Sequence, residues 1–247
     1  MKFVALISGG KDSIFAIYKL KEEGHQLVAL LYMKNTKTID SFMYQTVGNE
    51  LIHLYSQCLN VPLHIHNTKA DCKNDNLKYI KTENDEVEDL FNALSKIKNE
   101  TFFEGVSSGA ILSKYQKNRV EYVCERLNVC SLAPLWNYDQ KSLLDEMILS
   151  GIDARIVKIA SPGLTKICIG SNLIEIKEKI DNLPEKLRKW FNYCGEGGEY
   201  ETIVLDAPLF IKKINIIESD ICIHPDEVER EWNVYFIKIK KFSLLNK

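Results

Sequence analysis

Near the start of the chain six residues with useful chemistry stand side by side: Ser8-Gly9-Gly10-Lys11-Asp12-Ser13. Two glycines let backbone N–H groups approach an anion with no Cβ in the way. The serines bring hydroxyl donors, Lys11 a point charge suited to a phosphate, and Asp12 a carboxylate able to hold Mg²⁺ against that phosphate. The spacing is neither the GxxxxGK[ST] of a Walker A loop nor the GxGxxG of a dinucleotide fold, which disfavours both of those nucleotide classes. A second string, Cys194-Gly195-Glu196-Gly197-Gly198-Glu199-Tyr200-Glu201-Thr202, sets three carboxylates among glycines. It reads either as a glycine turn between two strands with solvated acids or as a site facing a cation. For the latter, Tyr200 would add a cation-π contact worth about 0.5–2 kcal/mol.

The elements around the first string give it a position. Phe3–Ile7 and Leu27–Met33 are near-continuous apolar runs, as strands buried on both faces should be, and Ser13–Glu23 between them has helical spacing and a stop at Gly24. The six residues therefore join a strand to a helix N-terminus, the place where an open parallel sheet binds anions. Val47, Leu51, Leu54, Tyr55 and Cys58 predict a further helix, Val61–His66 a strand, and Thr68–Asn84 a long polar loop of the kind that often forms a lid or a binding segment. A helix through Val87, Leu90, Phe91, Leu94 and Ile97 opens with Asp85, Glu86, Glu88 and Asp89, acids that suit the helix dipole. Strands near Phe102–Val106 and Val129–Leu135, around a helix with Val120, Val123, Cys124 and Leu127 inward, complete a doubly wound five-stranded parallel sheet. After Trp136 the pattern changes to a helix at Leu143–Ile148, a strand at Ala154–Ala160, a helical region ending near Phe191, and short strands. The last of these alternates Tyr235, Ile237 and Ile239 with Lys238 and Lys240. The expected organisation is an α/β domain over 1–136 and a smaller α+β domain over 137–247.

Composition bounds the partners. The 247 residues are 45% hydrophobic, enough for a substantial core, and 32 basic residues nearly cancel 34 acidic ones. No global field points to nucleic acid or an anionic membrane. Seven cysteines without a CxxC pair fit a reducing, cytoplasmic setting, and no apolar run reaches the roughly 20 residues of a membrane span. Tyr115, Arg119, Tyr122 and Arg126 recur along one helical stripe, where Arg119 reaches either a phosphate or partner, or only a surface acid. His64 and His66 share a strand face without a third ligand in view, a pairing more typical of structural histidines than of zinc.

The loop Ser8–Ser13 resembles the SGGxDS loop of the PP-loop ATP pyrophosphatases, within the adenine nucleotide alpha hydrolase (HUP-like) fold. Further strings resemble one family in particular, the diphthine-ammonia ligases. They are Ser41-Phe42-Met43-Tyr44-Gln45-Thr46-Val47-Gly48, Glu86-Val87-Glu88-Asp89-Leu90, Glu104-Gly105-Val106 with Ser108-Gly109-Ala110-Ile111, Tyr115-Gln116 and Arg119-Val120-Glu121, and the Cys194–Thr202 string. The chain departs from the family pattern over Thr68–Asn84, at Ile169-Gly170-Ser171-Asn172-Leu173, where a lysine is expected, and at Ala207, where a cysteine is expected.

The resemblance implies AMP-forming amidation of diphthine on translation elongation factor 2, with ATP and Mg²⁺ as cofactors and ammonium as the nitrogen source. Ser8, Gly9, Gly10, Lys11, Asp12 and Ser13 would bind ATP, and Asp12 its metal. Lys11, Asp12 and Glu199 would carry the catalysis. Tyr44, Gln45, Ser108, Gly109, Tyr115, Arg119, Glu196, Gly197, Gly198, Glu199, Tyr200, Glu201 and Thr202 would line the substrate side. Two other readings stay open: adenylation of a small-molecule carboxylate or a tRNA base, and a nucleotide-binding regulator without turnover.

Overall fold

Phe3, Val4 and Ala5 have no exposed surface, because β1 (Lys2–Leu6) is the middle strand of a sheet covered on both faces. The computed structural model describes residues 1–36, 47–69, 72–223 and 234–247. Among these, residues 1–8, 12–36 and 60–137 form one compact unit, and residues 9–11, 47–59 and 138–247 form the other.

In the first unit β1 pairs in parallel with β2 (Gln26–Asn35) on one side and with β4 (Gly105–Ser107) on the other. β3 (Leu63–Thr68) and β5 (Cys130–Leu132) complete the order β3-β2-β1-β4-β5. The chain thus winds outward in one direction from β1 and then restarts beside it in the other. This reversal falls between β1 and β4, whose C-terminal ends mark the place where open α/β sheets bind ligands. The connecting helices are α1 (Lys11–Glu22), α3 (Glu86–Glu100) and α4 (Lys114–Leu127). Val87, Leu90, Leu94 and Ile97 of α3 and Val120, Val123 and Leu127 of α4 pack with Val4, Leu31 and Val106 in one core. The five-stranded doubly wound sheet is as the sequence predicts, though β5 is a three-residue edge strand, shorter than the Val129–Leu135 run.

The second unit is an antiparallel sheet of order β7-β6-β9-β8, built from β6 (Asp153–Ile159), β7 (Tyr200–Asp206), β8 (Lys212–Ile223) and β9 (Tyr235–Asn246). β8 and β9 pair along their length and hold 12 residues each, where the sequence suggests short strands. Polar residues such as Asn215, Asp220 and Lys238 interrupt their apolar runs because the outer face is solvated. Lys240 is paired there with Asp220 and Glu218 across the ladder. Among the described residues after 137, the α-helices beside this sheet are α5 (Gln140–Leu149), α6 (Leu173–Asp181) and the single turn α7 (Glu185–Arg188). Ile176 and Ile180 of α6 pack with Ile156, Ile159 and Tyr200.

The helix predicted from Val47 to Cys58 divides into a 3₁₀ stretch, Asn49–Leu54, and α2 (Tyr55–Leu59). Tyr55, at the junction, is fully buried and donates its hydroxyl to the carbonyl oxygens of Gly9 (2.9 Å) and Val204 (2.7 Å). No helix among the described residues is long and apolar enough to cross a membrane.

Candidate active site

The first-unit end of the glycine-lysine loop is set by β1 and α1. Ser8 N–H donates to Ser13 Oγ at 3.3 Å, and the two hydroxyl oxygens lie 3.4 Å apart. The end of β4 comes close: a Cβ on Gly109 would lie 2.8 Å from the backbone of Asp12 and Ser13, so glycine is needed for the approach. Ser107 and Ser108 sit on the same strand end, and their hydroxyl oxygens are buried without a hydrogen-bond partner among the described residues. Leaving such groups unsatisfied costs about 1–3 kcal/mol each, which a ligand's oxygens would offset.

Gly9, Gly10 and Lys11 group with the second unit, where β7 is an edge strand with its outer backbone open to pairing. Val204 N–H donates to Gly9 carbonyl oxygen at 2.8 Å, and Lys11 N–H, an orphan donor of the first helical turn, donates to Thr202 Oγ1 at 3.0 Å. Gly9 has φ +84°, and a Cβ there would meet Ile203 Cδ1 at 2.7 Å, so both conformation and space require glycine. The Lys11 side chain is buried. Its ammonium donates to the Cys194 carbonyl and lies 5.2 Å from the centroid of the Tyr200 ring.

The second string forms a turn closed by its own carboxylate. Glu199 Oε1 accepts from Asn192 N–H (3.1 Å) and Asn192 Nδ2 (2.6 Å), while Oε2 accepts from Gly197 N–H (2.8 Å). Glu199 is buried, whereas Glu196 is half-exposed and Gly197 and Gly198 are exposed. A Cβ on Gly197 would lie 2.7 Å from Asn192 Nδ2 and 2.8 Å from Glu199 Oε1, which explains that glycine. Glu201, opposite Lys158 in the β6–β7 register, accepts from Lys158 Nζ at 3.2 Å; Lys158 is 6% exposed. The sequence reading missed Lys158, Asn192 and Ser107. Lys158 reads as an ordinary alternating strand residue, and only the pairing register places its charge against Glu201.

Tyr115 and Arg119 have a different setting in the first unit. Arg119 is completely buried. Its guanidinium donates to the carbonyl oxygens of Asn74, Asn76 (3.3 Å) and Tyr115 (3.3 Å), and stacks 3.2 Å over the Tyr115 ring. Tyr115 Oη donates to Glu86 Oε1 at 3.1 Å and lies 2.8 Å from Cys72 Sγ; burial, then the Cys72 contact, holds its pKa well above the ordinary phenol value. At the other end of the stripe Arg126 makes a forked pair with Glu88 (2.8 and 3.0 Å) and covers the Phe91 ring. Tyr44 and Gln45 lie outside the described residues.

A glycine-lysine loop at the reversal point of a five-stranded parallel sheet defines a nucleotide-binding α/β domain of the PP-loop type. The model of the diphthamide synthase N-terminal domain matches residues 1–131, and that of the C-terminal domain matches residues 139–245. Relatives named diphthine–ammonia ligase share 43% identity over 244 residues in Schizosaccharomyces pombe, 233 in Danio rerio and 231 in Homo sapiens. These alignments cover 97%, 92% and 91% of this chain and 39%, 91% and 86% of the respective relatives. The chain belongs to the diphthamide synthase family.

Proposed function

We propose that the chain is an ATP-dependent ligase that converts the carboxylate of diphthine, on translation elongation factor 2, into the amide of diphthamide. Its likeness to diphthine–ammonia ligases over almost its whole length carries the substrate assignment, and the glycine-lysine loop carries the nucleotide.

A carboxylate is a poor electrophile. Attack of its oxygen on the α-phosphorus of ATP forms an acyl-adenylate and releases pyrophosphate; attack of ammonia on the acyl carbon then forms the amide and releases AMP. Ser8, Gly9, Gly10, Lys11, Asp12 and Ser13 bind the phosphates, and the Lys11 ammonium stabilises charge that gathers on the departing pyrophosphate. The hydroxyls of Ser107 and Ser108 are buried donors beside that loop, which supports a phosphate there. Asp12 would hold Mg²⁺, which commonly takes one or two carboxylates and completes its shell with phosphate oxygens and water. When bound, the metal neutralises phosphate charge.

Glu196, half-exposed on the turn, faces the cationic part of the substrate or the ammonium, while Glu201 is held by Lys158. Glu199 and Thr202 act one step back, holding the turn and the first residue of α1. Tyr115 and Arg119 shape the substrate side by ordering segment 72–84. Nucleotide binding is assigned to 1–136 and substrate binding to 137–247.

Incubation with diphthine-bearing elongation factor 2, ATP and ammonium should yield AMP and the acid-to-amide mass change. Lys11→Ala should lower that rate about 10²–10³-fold, as for loss of a key charge-stabilising donor. Formation of ADP in place of AMP, or pyrophosphate release stimulated by metabolites or tRNA and not by the elongation factor, overturns the assignment.

A further inference from the structure

Gln140 belongs to neither glycine string, yet its side-chain amide lies between them in hydrogen-bond terms. The Lys11 ammonium donates to the Cys194 carbonyl. Cys194 N–H donates to Gln140 Oε1 at 2.9 Å, and the Cys194 thiol donates to the Gln140 carbonyl at 3.2 Å. Gln140 Nε2 in turn donates to Asn192 Oδ1 at 3.0 Å. Asn192 Nδ2 donates to Glu199 Oε1 at 2.6 Å, and the carboxylate also gathers the N–H groups of Asn192 and Gly197.

The series has one direction. From the cation at Lys11 to the anion at Glu199, each residue accepts on the lysine side and donates on the glutamate side; in the side-chain amides of Gln140 and Asn192 acceptor and donor share one conjugated group, so those two dipoles align and reinforce one another. Gln140 is not needed to cap its own helix, because Asp139 already accepts from Ser142 N–H at 2.9 Å. Its amide is therefore committed to Cys194 and Asn192. An apolar side chain at 140 would leave Cys194 N–H and Asn192 Oδ1 without these partners at once.

We propose that Gln140 and Asn192 are positioning residues that couple the Lys11 ammonium to the Cys194–Glu199 turn, so that engaging a nucleotide's phosphates sets the order of the turn that meets the second substrate. An ammonium that turns toward a polyphosphate weakens its hold on the Cys194 carbonyl, and the change passes through Gln140 and Asn192 to Glu199. The proposal rests on the reading of Lys11 as the phosphate-binding lysine.

The test is amide hydrogen exchange over residues 192–198 with and without ATP, alongside steady-state kinetics, for the parent, Gln140→Leu, Asn192→Leu and Gln140→Glu. In the parent, ATP should change exchange of this segment several-fold. In Gln140→Leu, ATP should bind within about threefold of the parent, its effect on the segment should vanish, and kcat should fall about tenfold or more at little-changed KM for ATP, the pattern of a misplaced site rather than lost binding. Gln140→Glu, which keeps an acceptor for Cys194 N–H, should restore part of the response. Asn192→Leu should repeat the leucine result, and it serves if Gln140→Leu does not fold. A parent whose segment ignores ATP, or a folded Gln140→Leu with parental response and kcat, overturns the proposal. A parent that shows the ATP response but forms no amide leaves the coupling standing and removes the amidation reading.

Discussion

Two irregular segments of this molecule are held by opposite means. In the first unit residues 72–84 are gathered in part by a cation: Arg119, completely buried, donates to the carbonyl oxygens of Asn74 and Asn76. In the second unit residues 192–198 are gathered by an anion: Glu199 collects N–H groups. A backbone without helix or strand must still satisfy its polar groups, and one charged side chain can satisfy several by charge-assisted bonds. The first segment has an additional anchor, since Asp85 accepts from Lys73 N–H and Asn74 N–H while it caps α3 through Val87 N–H. A charged side chain can thus be committed to ordering a neighbouring loop, and an acid or a base beside such a segment is not automatically aimed at a substrate.

The comparison can be broken most sharply at Arg119. Arg119→Leu takes the donor from the part-buried carbonyl oxygens of Asn74, Asn76 and Tyr115 and removes the stacking on the Tyr115 ring, and should cost about 3 kcal/mol or more of stability. Thermal unfolding and limited proteolysis across residues 72–84 measure it; a parental melting temperature would show that the cation is not the clasp. Lysine should not rescue, because it lacks the planar fork.

Glu199→Gln is the matching change on the other side. The amide keeps one acceptor but turns a donor toward Asn192 or Gly197, for a cost of about 1–3 kcal/mol. Amide formation should fall with it, while ATP binding stays near parental. Loss of ATP binding equal to that of Lys11→Ala would place Glu199 in the phosphate site instead of the turn.

The smallest effect tests how the second segment is tied to α6. Tyr193 donates its hydroxyl to Asp181 Oδ1 at 2.6 Å; this bond, then Lys177, holds the Asp181 carboxyl below its ordinary value, while burial and Asp181 push Tyr193 up to about 12. A depressed acid adds stability above its unfolded pKa near 4 and loses it as pH falls through the lower folded value. Tyr193→Phe should therefore cost less than about 1 kcal/mol at pH 7, since the pair is solvent-screened. The gap to the parent, followed by urea unfolding, should narrow toward pH 3. A gap that widens on acidification would contradict the bond to the ionised acid.

Much of this was legible along the chain. The runs Phe3–Ile7 and Leu27–Met33 with a helix between them announce a parallel unit, and Ser8–Ser13 announces an anion site, because local periodicity and glycine conformation are properties of neighbouring residues. The stripe Tyr115, Arg119, Tyr122 and Arg126 was visible too, but not its use. Arg119 meets the carbonyls of residues more than 40 positions earlier, and no local pattern encodes that.

The sequence by itself determined which segments could be strands and helices, where backbone could approach a phosphate, and the family to which the chain belongs, since all of these lie in residue order and spacing. Only the tertiary structure decided what each charge is for. Lys158 against Glu201, Glu199 closing on Asn192 and Gly197, and Gln140 between Cys194 and Asn192 follow from strand register and from side chains meeting across long stretches of chain. Hydrogen-bond energy depends on distances of about 3 Å between atoms, which sequence separation does not specify.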